Sequence, residues 1–297
     1  MSLRDFGLLV LVCLVWASNN IVSKYVVSHL GLPPLFYAAV RFGIVAVATL
    51  PWLWPMPRPR WRLVVVALLM GGGNFALLFI GLKTSTPSAA AVIGQLGVPM
   101  TTLLSMGMLG ERIHWRRALG IGLTFAGALA VMYDPNGFSI SQGLLYVVAA
   151  AFAGSLGAVM MKQIEGVKPL QFQAWVGFAS FWPLAILSAI IEPGQLGQGL
   201  AAGWPFFASV LYSGLVVSVG AHTIYYLLIG RYEANLISPL TLMTPLATIA
   251  LGVAIFHDPF GVRMAVGSAI ALSGVLIIAL RRNQVMPLLL AIRNRAQ

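Results

Sequence analysis

Charge is what this 297-residue chain has least of: 8% of its residues are Asp, Glu, Lys or Arg, where a water-soluble domain carries about 25%. So few charges cannot cover a surface that faces water. With 59% hydrophobic residues and a mean hydropathy of +0.91, the chain reads as an integral membrane protein. Cysteine is nearly absent. Cys13 stands alone, which excludes an internal disulfide and a multi-cysteine metal site, and it lies in an apolar run where packing accounts for it. Acids are scarce as well: Asp5, Glu111, Asp134, Glu165, Glu192, Glu233 and Asp258 all fall at expected span ends or in loops. No carboxylate is therefore expected deep in the membrane, where a proton-coupled pump usually places one. No cofactor or bound metal is expected.

The +11 charge balance would fit a nucleic-acid binder, but the basic residues stand in short clusters between apolar runs. That is the pattern of loop charge that orients a membrane protein, so the expected surroundings are a lipid bilayer and not a nucleic acid.

A membrane-spanning helix needs about 20 apolar residues. Runs bounded by polar or Pro/Gly breaks give ten, roughly 5–27, 34–54, 62–82, 86–108, 116–133, 142–161, 169–191, 205–229, 235–256 and 262–280. The fold class expected is an all-α membrane bundle, since the alternating ten-residue strands of a barrel are missing. The first run reads as a span and not as a cleaved signal, being long and lacking a small-x-small exit. With the N-terminus in the cytoplasm, only Lys24, Lys83 and Arg263 fall outside and Arg41 falls within a span. The other basic residues lie inside, so both termini are expected to be cytoplasmic.

Two stretches echo each other: "LGERIHWRRALGIGLTFAGALAV" and "IFHDPFGVRMAVGSAIALSGVLII". Each has an acid, a glycine nine residues on and another seven after that: Glu111, Gly120 and Gly127, then Asp258, Gly267 and Gly274. Pro99 and Pro245 precede them at nearly matching distances. Glycines seven apart share a helix face and permit close helix contact. A unit of five spans is odd in number, so the second copy enters the membrane from the opposite side. The organisation expected is a first five-helix repeat at 1–134, an inverted one at 135–282, and a basic cytoplasmic tail at 283–297. Inverted repeats are a recurring plan of secondary transporters, with a substrate site near the midplane between the halves.

Polar residues inside the spans are the candidates for that site. Trp16, Asn20 and Ser23 share one face of span 1, with Asn19 beside them, a stripe that is expensive toward lipid and reasonable toward a wet cavity. Interhelical hydrogen bonding is the competing reading. Lys24, a turn further out, is expected to snorkel to the outer interface. Arg41, one turn after Tyr37, must face protein or water, either attracting a substrate carboxylate or bonding backbone carbonyls. In span 3, "MGGGNFALLF" points to a bend or tight contact beside Asn74. Gln95 lies one turn before Pro99, where a kinked helix with a free carbonyl offers binding groups. In span 8, His222, Tyr225 and Tyr226 share a face, and Ser238 lies two turns before Pro245. Glu111, among Arg112, Arg116 and Arg117, fits a cap or gate at the inner mouth.

The segments "VWASNNIVSK", "PPLFYAAVRF", "GERIHWRRALGIGLTFAG" and "LIGRYEANLISPLTLMTP" resemble the drug/metabolite transporter superfamily, EamA type, most closely its bacterial exporters of O-acetylserine, cysteine and related metabolites. The resemblance implies ten helices in two inverted halves and export of amino acids or small metabolites across the bacterial inner membrane, as a monomer or weak dimer. A membrane enzyme is disfavoured because no deep acid or spaced metal partner accompanies His222. A channel is disfavoured because no filter is visible. Efflux of aromatic or cationic drugs stays open, since Trp16, Tyr225 and Tyr226 accept such ligands. Substrate either runs down its own gradient or is coupled to protonation of His222.

Overall fold

Hydrocarbon offers no partner to backbone N–H and C=O groups, so each apolar segment closes its own hydrogen bonds as a helix. The computed structural model describes residues 1–110, 114–134, 139–164, 166–232, 237 and 240–279. The helices are α1 Leu3–Lys24, α2 Pro34–Ala48, α3 Arg60–Leu68, α4 Asn74–Thr84, α5 Pro87–Gly94, α6 Gly97–Leu109 and α7 Trp115–Met132. They continue with α8 Gln142–Met161, α9 Pro169–Ile191, α10 Gln195–Ala201, α11 Trp204–Leu211, α12 His222–Arg231, α13 Met243–Phe256 and α14 Val262–Ala279. A two-residue antiparallel pairing, Tyr133–Asp134 with Ser139–Ile140, separates α7 from α8.

Several spans are not plain α-helices. π-helical turns at Tyr25–His29, Leu69–Gly73 and Tyr212–Ala221 extend α1, join α3 to α4 and join α11 to α12. Counting such joined segments as one, seven helices among the described residues are long and apolar enough to cross a membrane. Against the ten runs expected, α2 and α13 are apolar but have 15 and 14 residues. At 1.5 Å per residue a 15-residue helix spans about 22 Å, short of a hydrocarbon core of about 30 Å. In α7, Arg116 and Arg117 occupy the first turn and lower its hydropathy.

Glycine placement decides the closest helix contact. α7 lies against α14, and the contact runs antiparallel: a Cβ on Gly120 would stand 2.7 Å from the Gly274 carbonyl oxygen, and one on Gly127 would stand 2.5 Å from that of Gly267. Of the reciprocal positions, Gly274 is as tight, facing the Gly120 carbonyl at 2.6 Å, and Gly267 is looser, 2.9 Å from a Val131 methyl and 3.1 Å from the Gly127 carbonyl. The four glycines therefore sit in one seam, and at Gly120, Gly127 and Gly274 only a hydrogen fits.

The remaining contacts come in matching sets. α1 packs on α13 and on the Tyr212–Ala221 turn and α12, while α8 packs on α6 and on α3, the Leu69–Gly73 turn and α4. α2 packs along α9. Pro99 and Pro245 occupy the same place in α6 and α13, the first turn, where a missing N–H costs nothing. The expected kink at Pro99 is thus a break: α5 ends at Gly94, Gln95 and Leu96 form a turn, and α6 starts afresh at Gly97. Glu111, Ser238 and the 283–297 tail lie outside the described residues.

Candidate functional site

Two adjoining cavities lie between the two sets of helices. The wide one, about 950 Å³, is lined by Trp16 of α1, Met70, Phe172 of α9, and His222, Tyr225 and Tyr226 of α12, and reaches Lys162 and Arg231 at one end of the bundle. The inner one, about 180 Å³, shares Met70, Phe172, His222 and Tyr226 and adds Asn74, Phe75, Gln173 and Ser218.

Aromatic rings build the wall between them. Trp16 packs on His222 at 5.2 Å and edge-on to Tyr225 at 4.8 Å between ring centroids. Phe172 meets Tyr226 edge-on at 5.9 Å. Such pairs hold ring orientation beyond what area burial alone supplies. The Trp16 Nε1 is buried with no hydrogen-bond partner, a donor left over in the ring that faces the wide cavity. His222 Nδ1 lies 2.8 Å from the Val217 carbonyl. A carbonyl only accepts, so Nδ1 carries the proton in the neutral ring and Nε2 is left as an acceptor.

The sequence candidates divide into two groups. Trp16, Asn74, His222, Tyr225 and Tyr226 line the cavities. Asn19, Asn20, Ser23 and Tyr37 lie instead in a polar layer between helices. Tyr37 OH bonds Ser213 Oγ at 2.6 Å, and Ser213 Oγ donates to Asn19 Oδ1 at 2.8 Å. Asn20 Nδ2 donates to Thr248 Oγ1 on α13 at 3.3 Å, and Ser23 is fully buried. This layer ties α1 to α2, to the Tyr212–Ala221 turn and to α13. Ser213→Ala is expected to remove a hydrogen bond from each of Tyr37 and Asn19 and to cost about 1–3 kcal/mol, read as a lowered thermal midpoint of purified protein with ligand affinity unchanged. Gln95 is half-buried at the end of α5 and lines neither cavity.

Lys24 has a structural partner: its ammonium donates to the Leu82 carbonyl at 2.9 Å and to that of Lys83 at 3.5 Å, satisfying carbonyls at the end of α4 where a cation is favoured. Other bonds tie the same end of the bundle. Asp258 Oδ2 accepts from the backbone N–H and the hydroxyl of Ser88, in the first turn of α5. Glu192 accepts from the N–H groups of Leu35 and Phe36, in the first turn of α2, at 2.9 and 2.8 Å. His29 stacks on Phe256. At the opposite end Asp5 accepts from Tyr232 OH at 2.6 Å, with Arg231 3.8 Å away.

Sequence reasoning missed Gln173 and Ser218. Ser218 precedes His222 by one helical turn, a spacing that was readable. Gln173 sits beside Phe172 near the start of a span, and nothing in its own stretch marks it out from an interfacial amide. Two of the three glycines of "MGGGNF" do make tight contact with α9: a Cβ on Gly71 would stand 2.5 Å from Ser180 Oγ, and Gly72 N–H donates to that oxygen at 2.8 Å.

Residues 6–133 and 141–280 match the EamA-like transporter family. The chain belongs to the EamA family. Similar members include the probable amino-acid metabolite efflux pump of Escherichia coli, 27% identical over 292 residues, which span 93% of this chain and 95% of that protein. The Salmonella typhimurium protein of the same description is 27% identical over 289 residues, covering 93% and 95% of the two chains. An uncharacterized transporter of Bacillus subtilis, YvbV, is 24% identical with 93% and 91% covered. A solved crystal structure superposes with a TM-score of 0.60 at 21% identity, over 93% of this chain and 96% of that one, and shares the fold. As an EamA protein, the chain is a multi-pass membrane transporter.

Proposed function

We propose that this EamA protein is a secondary transporter exporting amino acids or small amino-acid-like metabolites across the bacterial inner membrane, by alternating access between two inverted five-helix repeats. The observation that carries the reading is the pair of joined cavities between the two sets of helices, which extends to the Lys162–Arg231 end while Lys24, Asp258 and Glu192 tie the other. A passage reaching one side only is what an alternating carrier presents in one of its states. The repeats are 1–134 and 135–282, ten helices in all, both termini cytoplasmic. Support for inversion comes from the glycine seam. Equivalent glycines meet crosswise, Gly120 with Gly274 and Gly127 with Gly267, as a two-fold axis in the membrane plane requires. The relatives described as amino-acid metabolite efflux pumps support the substrate class.

The cavity side chains are neutral apart from the basic groups at its mouth, and no described acid lines it. Substrate therefore runs down its own gradient, with His222 acting as a hydrogen-bonding group. Counterflow in proteoliposomes against a panel of radiolabelled amino acids tests this: saturable, trans-stimulated flux is expected, reduced about tenfold by Tyr226→Ala. A panel left wholly unmoved, or a pH-gradient stimulation abolished by His222→Gln, would contradict it. The aromatic wall of Trp16, Phe172, Tyr225 and Tyr226 also suits aromatic cations, and faster counterflow of ethidium than of every amino acid would select drug efflux.

A further inference from the structure

Arg41 is fully buried in the middle of α2. Its Nε and Nη2 both donate to Ser218 Oγ, at 3.1 and 2.9 Å, and Phe75 covers its guanidinium at 4.0 Å from the ring centroid. Nη1 has no hydrogen-bond partner, and no described carboxylate pairs with the group. A guanidinium stays charged in proteins, and a buried charge ordinarily has a partner. Here one is missing.

The wall beyond Arg41 belongs to the inner cavity. Ser218, Phe42 and Phe75, which surround the guanidinium, line it, and Arg41 itself stands behind them as a buried charge in the second layer. Two amides face the same space. Asn74 Nδ2 donates one of its hydrogens to the Ala150 carbonyl at 2.7 Å, leaving the other. Gln173 is 4% exposed and opens on that cavity. No acid among the described residues lines either cavity, and the basic groups at the mouth are Lys162 and Arg231. The electrostatic gradient from mouth to interior thus favours negative charge throughout, strengthened by low dielectric at the inner end.

Resting on the export reading above, we propose that the inner cavity is a carboxylate site: the substrate's carboxylate sits against the Asn74 and Gln173 amides and neutralises Arg41, with its apolar or aromatic part on the Trp16–Phe172–Tyr226 wall. Its substrates are zwitterionic or monoanionic amphipathic carboxylates. A compound with the same body and no carboxylate leaves Arg41 uncompensated and is rejected. Ser218 cannot serve as the donor, because its hydrogen goes to the Ser213 carbonyl at 2.9 Å. Its role is to hold the guanidinium just behind the cavity wall, where its charge acts through the low dielectric and not by direct contact.

The test uses the full chain in nanodiscs, with binding of L-phenylalanine, N-acetyl-L-phenylalanine and L-phenylalaninamide followed by tryptophan fluorescence. Both acids are expected to bind about tenfold to a hundredfold more tightly than the amide, the range of a charge-assisted hydrogen bond. Arg41→Gln should erase that preference and Arg41→Lys should keep part of it. The comparison of acid with amide needs no variant, so it stands even where Arg41→Gln fails to fold. Equal binding of acid and amide overturns the carboxylate site, and counterflow of L-phenylalanine in the same protein would then leave the export reading intact. Absence of both binding and counterflow for every amino acid overturns the two together.

Discussion

Gly127→Leu is expected to destroy the folded protein, whereas Gly122→Leu, five residues earlier on the same helix, is expected to be silent. A Cβ at Gly127 meets the Gly267 carbonyl and the Ala271 backbone nitrogen, but one at Gly122 meets nothing within 4 Å. Backbone cannot rotate aside as a side chain can, so α7 and α14 must separate, and the seam runs through Gly120 and Gly274 as well. The cost should reach or exceed the upper end of the about 1–3 kcal/mol typical of overpacking, against about 0.5 kcal/mol or less at an open site. Monodisperse yield on size-exclusion chromatography and the thermal midpoint read the difference. Two variants of equal stability would mean that the glycine seam is not the contact that joins α7 to α14.

Asp258→Ala is expected to open the end of the bundle that Asp258 helps to hold. The carboxylate reaches from the segment between α13 and α14 to the first turn of α5, where it acts as a charged helix cap. Caps and charge-assisted hydrogen bonds are worth about 1–3 kcal/mol, enough to shift an equilibrium between two access states by about tenfold or more. The measurement is modification of Tyr226→Cys, in a Cys13→Ser background, by a membrane-impermeant thiol reagent added from outside. Labelling should be about tenfold faster once Asp258 is replaced. An unchanged rate would remove Asp258 from the closing device and leave it a local cap.

Much of the architecture was legible in the sequence because hydrocarbon imposes length and apolarity on each span separately. The glycines at 120, 127, 267 and 274 were legible as a contact face for a similar local reason: a seven-residue spacing fixes a helix face whatever lies opposite. Which residue lies opposite was not local information, and the crosswise pairing emerged only from the packed helices. The same limit divided the polar candidates. Spacing placed Trp16 and Asn20 on one face of α1 correctly, yet Trp16 borders a cavity and Asn20 meets Thr248. Helix periodicity says which way a side chain points and nothing about whether its neighbour is space or another helix. The partner of Lys24 was not local information either, because the sequence does not reveal that the end of α4 stands within reach of its ammonium. Gln173 was missed because a single amide carries no pattern until the cavity is placed beside it, whereas Ser218, one turn before His222, was within reach of the same spacing argument.

The ten-residue π-helical turn Tyr212–Ala221 carries a consequence for how tolerant this region is to change in length. A π-turn holds more residues per revolution than an α-helix, and each residue added to or removed from an α-helix turns everything beyond it by about 100°. The azimuth of His222, Tyr225 and Tyr226 is therefore set by the length of the wide turn before them as much as by their own identities. Losing one residue there, with every ring retained, would swing the aromatic wall by about 100° around its axis and bring a neighbouring face of the helix to the passage.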